Sequence, residues 1–266
     1  MIGLMKKIWL KRNFFFAAGV LFLICSFSIP LLLCAPEEMD KPEGNGAASD
    51  SRSHRMLTNL HWLGHASFRL DASRTIYFHP WKLPSDSKKA DIIFISHDHF
   101  DHCSKDDLAL ISTKETVLVT DKSAGKQLQG KLVCKEIKAL EAGNNVEVLG
   151  VKVQATYSYN LNKEFHPKAS GKLGFIVTID GLSIYHAGDT DYIPEMKDYA
   201  CDIALLPVSG TYVMTADEAA NAALTIKPRA AIPMHYGDIV GSDSDAERFR
   251  NLLKDKIEVK ILKKEK

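Results

Sequence analysis

From Leu57 onward the chain sets short apolar runs between polar breaks, the rhythm of strands and brief helices. Leu60 to Leu63, Ser67 to Leu70, Thr75 to Phe78 and Ala90 to Ile95 predict four strands. Lys105 to Ile111 carries helical spacing, Thr116 to Thr120 reads as a strand, and Asp121 is placed to cap a helix running to Gln129. Strands follow at Val146 to Val148, Val151 to Tyr157, Gly174 to Ile179 and Leu182 to Tyr185. The last two are joined by Asp180-Gly181, a hairpin turn signal. Asp202 to Leu206 is a buried strand. Thr215 to Ile226 is an alanine-rich helix opened by a capping box of Thr215 and Glu218. Ala230 to Pro233 predicts a strand, Ser244 to Leu253 a helix and Ile257 to Ile261 a final strand. Strand runs followed by strand and helix alternation, in two halves, predict an α/β architecture of two sheets face to face with helices outside.

The front of the chain follows a different pattern. Lys6, Lys7, Lys11 and Arg12 precede a continuous apolar run from Phe14 to Ala35, about the 20 residues a helix needs to cross a bilayer. Lysines before the run and acids after it (Glu37, Glu38, Asp40) orient the N-terminus to the cytoplasm and the rest outward. The run's length favours an uncleaved anchor over a cleaved signal peptide, and Leu33-Cys34-Ala35 is a poor cleavage site. Residues 1–35 therefore read as a signal-anchor or transmembrane segment that leaves the domain exported or membrane-anchored, outside the cytoplasm. Residues 36–53, rich in Pro, Gly, Asn, Ser and acids, read as a disordered tether, and residues 54–266 as the folded domain.

Composition adds little to this. The 266 residues are 45% hydrophobic with a net charge of +1, which suits one globular domain with an appendage. No basic stripe is present, so no nucleic-acid partner is expected; Lys263, Lys264 and Lys266 read as a solvated tail.

The chemistry concentrates in Ser96-His97-Asp98-His99-Phe100-Asp101-His102, directly after the apolar run Asp91 to Ile95. A buried strand that ends in three histidines and two aspartates delivers polar side chains to a sheet rim. Burying them together without a cation would leave unpaired polar groups. His97 and His99 alternate in extended chain and face one side. Asp101 and His102 come a turn later, facing a second ion.

The motif H-x-H-x-D-H after an apolar strand resembles the signature of the metallo-β-lactamase superfamily. His166, Asp189 and His235 fall in the order and rough spacing of that family's remaining ligands. Trp62-Leu63-Gly64-His65-Ala66-Ser67, Tyr185-His186-Ala187-Gly188-Asp189-Thr190 and Pro233-Met234-His235-Tyr236-Gly237 resemble the branch that includes ascorbate-6-phosphate lactonase and the phospholipase D acting on N-acyl phosphatidylethanolamine. The likeness spans roughly Leu57 to Leu262. It implies a four-layer αβ/βα sandwich with the site at one edge between the sheets.

The resemblance also implies roles. His97, His99 and His166 would hold one metal ion, Asp101, His102 and His235 a second, and Asp189 would bridge both, with Asp101 and Asp189 as the catalytic carboxylates. Imidazole and carboxylate ligands suit zinc first, with manganese and iron as alternatives. Two ions about 3.5–4 Å apart activate a bridging water and hold the oxygen that gains charge, which is hydrolysis without a covalent intermediate.

The remaining candidates stay open at this level. His65 orients a ligand or substrate, or simply packs. His186 reads as support behind the ligands or as core. Tyr212 and Tyr236 face a substrate or pack. Where this branch tends to carry Asp-Pro-Trp, with an aspartate bracing the metal loop, the chain has His79-Pro80-Trp81, which weakens that brace or replaces it with a neutral hydrogen bond. Cys103, Cys134 and Cys201 suggest no disulfide framework, and Cys103 reads as a small buried residue.

Two functions emerge. One is a dinuclear hydrolase of a small ester-type substrate, with a phosphodiester or lactone favoured over a β-lactam. The other is a catalytically weak metal-binding or sensory domain on the same scaffold.

Overall fold

Two sheets divide the chain in sequence order. The structure, a computed structural model, describes residues 56–265. The first sheet runs β1 (Leu60–Gly64), β2 (Ser67–Asp71), β3 (Thr75–Phe78), β4 (Ile92–Ile95), β5 (Val117–Thr120) and β6 (Glu136–Ala139), each beside the next. The second runs β7 (Asn145–Val148), β8 (Val151–Tyr157), β9 (Leu173–Ile179), β10 (Leu182–His186), β11 (Ile203–Pro207), β12 (Ala230–Met234) and β13 (Glu258–Val259), again in order. Each sheet joins an antiparallel meander to a parallel part most of whose crossovers carry helices.

The period-2 pattern divides the two faces of the first sheet. Ile76, Phe78, Ile92, Phe94, Val117 and Val119 point into the main core shared with the second sheet. Tyr77, Ile93, Ile95 and Leu118 point the other way, into a smaller core. That smaller core is closed by helices α1 (Lys105–Ile111) and α2 (Lys122–Leu128) through Leu108, Ile111, Ala124 and Leu128. Helices α3 (Ala216–Ile226) and α4 (Asp243–Leu252) lie against β11 and β12 and against each other. Five alanines of α3, Ala216, Ala219, Ala220, Ala222 and Ala223, are buried, and small side chains let a helix approach closely.

Local signals set the element ends. Asp121 caps α2, its Oδ1 accepting the Ala124 N–H at 2.9 Å. Thr215 and Glu218 form the expected capping box on α3. Asp180 and Gly181, at φ 51° and 80°, make the β9–β10 hairpin turn.

Two expectations need correction. The strand expected over Ile257 to Ile261 pairs only at Glu258–Val259, along the end of β12. A strand not expected, β6, closes the first sheet; its sequence Glu-Ile-Lys-Ala carries the charges typical of an edge, which hide the apolar alternation. The membrane segment expected at residues 1–35 and the tether at 36–53 lie outside the described residues. Among the described residues, no helix is long and apolar enough to cross a membrane.

Candidate metal centre

Three strands end on a histidine bent the same way. His65 follows β1, His79 follows β3 and His235 follows β12, with φ of 53°, 46° and 61°. L-residues rarely adopt this left-handed backbone, and here it turns the side chain off the strand end. His166 at 58° and Tyr212 at 66° share it. These five are half of the ten non-glycine residues with positive φ among the described residues, so backbone strain is gathered at this edge of the sheets.

The loop after β4 brings His97, His99, Asp101 and His102 to the same edge. The loop after β10 brings Asp189, preceded by Gly188 at φ 67°. A Cβ at Gly188 would lie 2.6 Å from the Leu173 carbonyl oxygen and 2.9 Å from Ser158 Oγ, so glycine alone fits there.

Asp189 sits at the centre. Its Oδ2 lies 3.3 Å from Nε2 of His102 and of His235, and 3.9 Å from Nε2 of His97 and of His166. Nδ1 of His99 is 3.2 Å from Nε2 of His166. Ligand atoms fall into three overlapping groups within 4.8 Å: His97, His99 and His166; His65, Asp101, His102 and His235; and His97, His102 and Asp189. The seven residues expected as ligands thus come together, and His65 joins them. His65 donates from Nε2 to Asp101 Oδ2 at 3.0 Å, and its ring lies tilted against that of His235 with centroids 4.0 Å apart.

The donor set fits divalent ions. Nε2 of His97 and of His102, Nδ1 of His65 and of His166, and Oδ1 of Asp189 are buried with no hydrogen-bond partner. Five such orphans in one cluster are costly unless something binds them. Protonation agrees. Burial, with His102 nearby, holds His97 well below the usual histidine range, and burial pushes His166 down to about 4, so both rings are neutral donors of a lone pair. Burial alone would raise the Asp189 carboxyl, but His102 and His235 outweigh it and hold it well below the carboxylate range. Asp101 is likewise raised by burial and lowered further by His102 and His65.

Supporting bonds fix ring orientation. Nδ1 of His97 is 2.6 Å from Ser96 Oγ, and Nδ1 of His235 is 3.2 Å from Ser209 Oγ. His186 lies outside the ligand groups. Its Nε2 donates to the Ala66 carbonyl at 2.9 Å, and its Nδ1 accepts the Gly188 N–H at 3.2 Å. Asp98 turns away to pair with Lys172 at 2.7 Å. Cys103 is buried, and burial pushes its thiol up to about 12, which suits the packing role.

The cluster floors a cavity of about 380 Å³. Its walls are Phe100, Phe165, Tyr212, Ile239 and Val240, residues the sequence reading missed apart from Tyr212. Phe165 and Tyr212 meet edge to face at 5.0 Å. Tyr236 is not in the cavity; it is buried and stacked on Trp62 at 4.9 Å. Among the described residues, no lysine or arginine lines this space.

Known proteins resemble this chain in sequence and fold. Residues 59–235 match the Beta-lactamase superfamily domain. Over 225 residues the chain is 32% identical to a UPF0173 metal-dependent hydrolase of Pyrococcus abyssi, spanning 78% of this chain and 97% of that protein. The crystal structure of a protein assigned as a metal-dependent hydrolase from Parabacteroides distasonis superimposes with a TM-score of 0.68 at 33% identity, over 77% of this chain and 93% of that one. Igni18, a metallo hydrolase from Ignicoccus hospitalis, shares the fold at a TM-score of 0.64 and 22% identity, over 78% of this chain and 95% of that one. The chain belongs to the metallo-β-lactamase superfamily and, within it, to the UPF0173 family of metal-dependent hydrolases.

Proposed function

We propose that this metal-dependent hydrolase is dinuclear and cleaves an ester or lactone in a small molecule that carries an apolar group. The observation that carries the reading is Asp189 Oδ2, buried and set among the Nε2 atoms of four histidines. His97, His99 and His166 would hold one ion, Asp101, His102 and His235 the other, with Asp189 shared. When bound, such ions lower the pKa of water and stabilise charge developing on the cleaved group; zinc suits the ligands best, with manganese or iron as alternatives.

The chain's own residues do the rest. His65 holds Asp101 through Nε2–H, and Asp101 and Asp189 stay ionised beside the cavity floor, as anionic ligands must. Phe100, Phe165, Tyr212, Ile239 and Val240 exclude water and grip an apolar substituent. A wall without lysine or arginine favours a lactone or carboxylic ester over a phosphodiester, whose charge wants a cation. The likeness of the flanking motifs to lactonase sequences supports this chemistry, and their likeness to a phospholipase D keeps the phosphodiester as the alternative. The charge pattern around residues 14–35 supports an exported, membrane-held enzyme.

The test is a hydrolysis screen of the zinc- or manganese-loaded full-length protein against aryl and alkyl esters, lactones and bis(nitrophenyl) phosphate, with His235→Ala as control. Turnover of esters or lactones above the diester, lost in the variant, supports the reading. Loss of no activity on His235→Ala, or turnover confined to the diester, contradicts it.

A further inference from the structure

Asn160, buried in the loop after β8, is hydrogen-bonded to both loops that carry the aromatic wall of the cavity. Its backbone N–H donates to the His166 carbonyl at 2.8 Å and closes the loop from 160 to 166. Its side-chain Nδ2 donates to the Phe165 carbonyl at 2.9 Å and to the Tyr212 carbonyl at 2.6 Å. Both partners only accept, so the group turned toward them is the NH2, with one proton for each carbonyl. The Oδ1 left over is buried with no hydrogen-bond partner. An orphaned buried oxygen is costly, so the two carbonyls fix the amide's orientation against that cost.

Phe165 and Tyr212 come from separate loops, Tyr212 fifty-two residues beyond Asn160, and their rings meet edge to face at 5.0 Å. Both rings are exposed, so little packing fixes them from outside. The base of the Tyr212 loop is tied by the Met214 N–H to the Thr190 carbonyl at 3.0 Å, and its tip by Asn160. That tip is left-handed at Tyr212, φ 66°, a conformation a tyrosine leaves unless something restrains it. We propose that Asn160 is a specificity-determining positioning residue whose amide locks Phe165 and Tyr212 into one wall and so sets the width of the apolar slot over the ligand cluster. This inference rests on the reading above of a substrate gripped through an apolar group. Asn160 does not itself line the cavity and acts through the two rings. Its backbone N–H, and not its side chain, ties His166, so a side-chain substitution leaves that tie in place.

The test uses the zinc-loaded full-length protein and two variants. Asn160→Asp keeps the shape and removes both donors, and Asn160→Ser is too short to reach either carbonyl. Hydrogen exchange read by mass spectrometry is expected to quicken about tenfold in both segments 161–166 and 210–214, with residues 97–102 as in the wild type and zinc content retained. Steady-state kinetics is expected to show the preference for long-chain over acetate esters reduced about tenfold, through a higher KM for the long-chain ester. Faster exchange confined to 161–166, or in neither segment, overturns the inference, because the amide would then not join the two loops. An unchanged ester preference overturns it too, as does a parallel fall in kcat and zinc content, which would place Asn160 behind His166. In 1H–15N spectra of the wild type, slow exchange of both Nδ2 protons supports the clamp and rapid exchange overturns it, whether or not the variants fold. If no ester is hydrolysed, the ester reading fails, and the exchange measurements still decide whether Asn160 joins the two loops.

Discussion

Asp189 Oδ2, carried by the second sheet, lies 3.3 Å from Nε2 of His102, carried by the first. One carboxylate thus ties the two halves of the chain at the point where both sets of histidines converge. Asp189→Asn keeps the shape and removes the charge. It is expected to lower zinc affinity at least tenfold and ester turnover at least a hundredfold, with far-ultraviolet circular dichroism unchanged. Full zinc binding in this variant, measured by calorimetry, would remove Asp189 from the centre.

Gly188 sets that carboxylate in place. A methyl group there meets the Leu173 carbonyl at 2.6 Å, and the backbone is left-handed besides. Gly188→Ala is expected to destabilise the fold by about 3 kcal/mol, the sum of overpacking and backbone strain. Urea unfolding checks this; a change below about 0.5 kcal/mol would contradict the tight fit.

His186 makes the fold sensitive to acid. It is buried against Phe78 and His79, and burial pushes it down to about 4 from an ordinary value of 6.5. Between those values the unfolded chain binds a proton at this position and the folded chain does not. Stability due to His186 is therefore full above about pH 6.5 and falls as pH drops toward 4. The loss amounts to roughly 3 kcal/mol. Glutamine offers a donor and an acceptor of its own for the Ala66 carbonyl and the Gly188 N–H. His186→Gln is thus expected to flatten the unfolding free energy of the metal-stripped protein between pH 7 and 4. An equally steep profile in the variant would assign the acid sensitivity to other residues.

Phe165 and Phe100 stand over the ligands with large exposed faces, 47% and 70% accessible. An exposed aromatic gains most when a substrate covers it, by about 1–3 kcal/mol. Phe165→Ala and Phe100→Ala are expected to raise KM for long-chain or aryl esters about tenfold and to leave kcat and acetate-ester KM within about twofold. An equal rise for both substrates would contradict an apolar grip.

Much of this architecture is legible in the sequence because its causes are local. The β-branched runs of β3 and β4, the Asp121 and Thr215 caps and the Asp180-Gly181 turn each act within a few residues. The ligand residues are legible for a similar reason: His97, His99, Asp101 and His102 share one loop, and their density is costly without a cation. Tertiary consequences are not legible. The charged strand β6 is defined by its pairing with β5 alone. The left-handed turns at His65, His79 and His235 arise where strand ends meet the opposite loops. His79 shows as a departure from pattern in the sequence, but its hydrogen bond from the N–H of Ser96, seventeen residues away, does not.

The central claim is a two-ion centre built on Asp189, and elemental analysis of the purified full-length chain tests it most directly. The account predicts close to two equivalents of zinc per chain at saturation. His97→Ala and His235→Ala should each reduce this to about one, because they remove ligands from different groups. A wild-type chain that takes up no zinc, manganese or iron, or that keeps two ions in both variants, would contradict it.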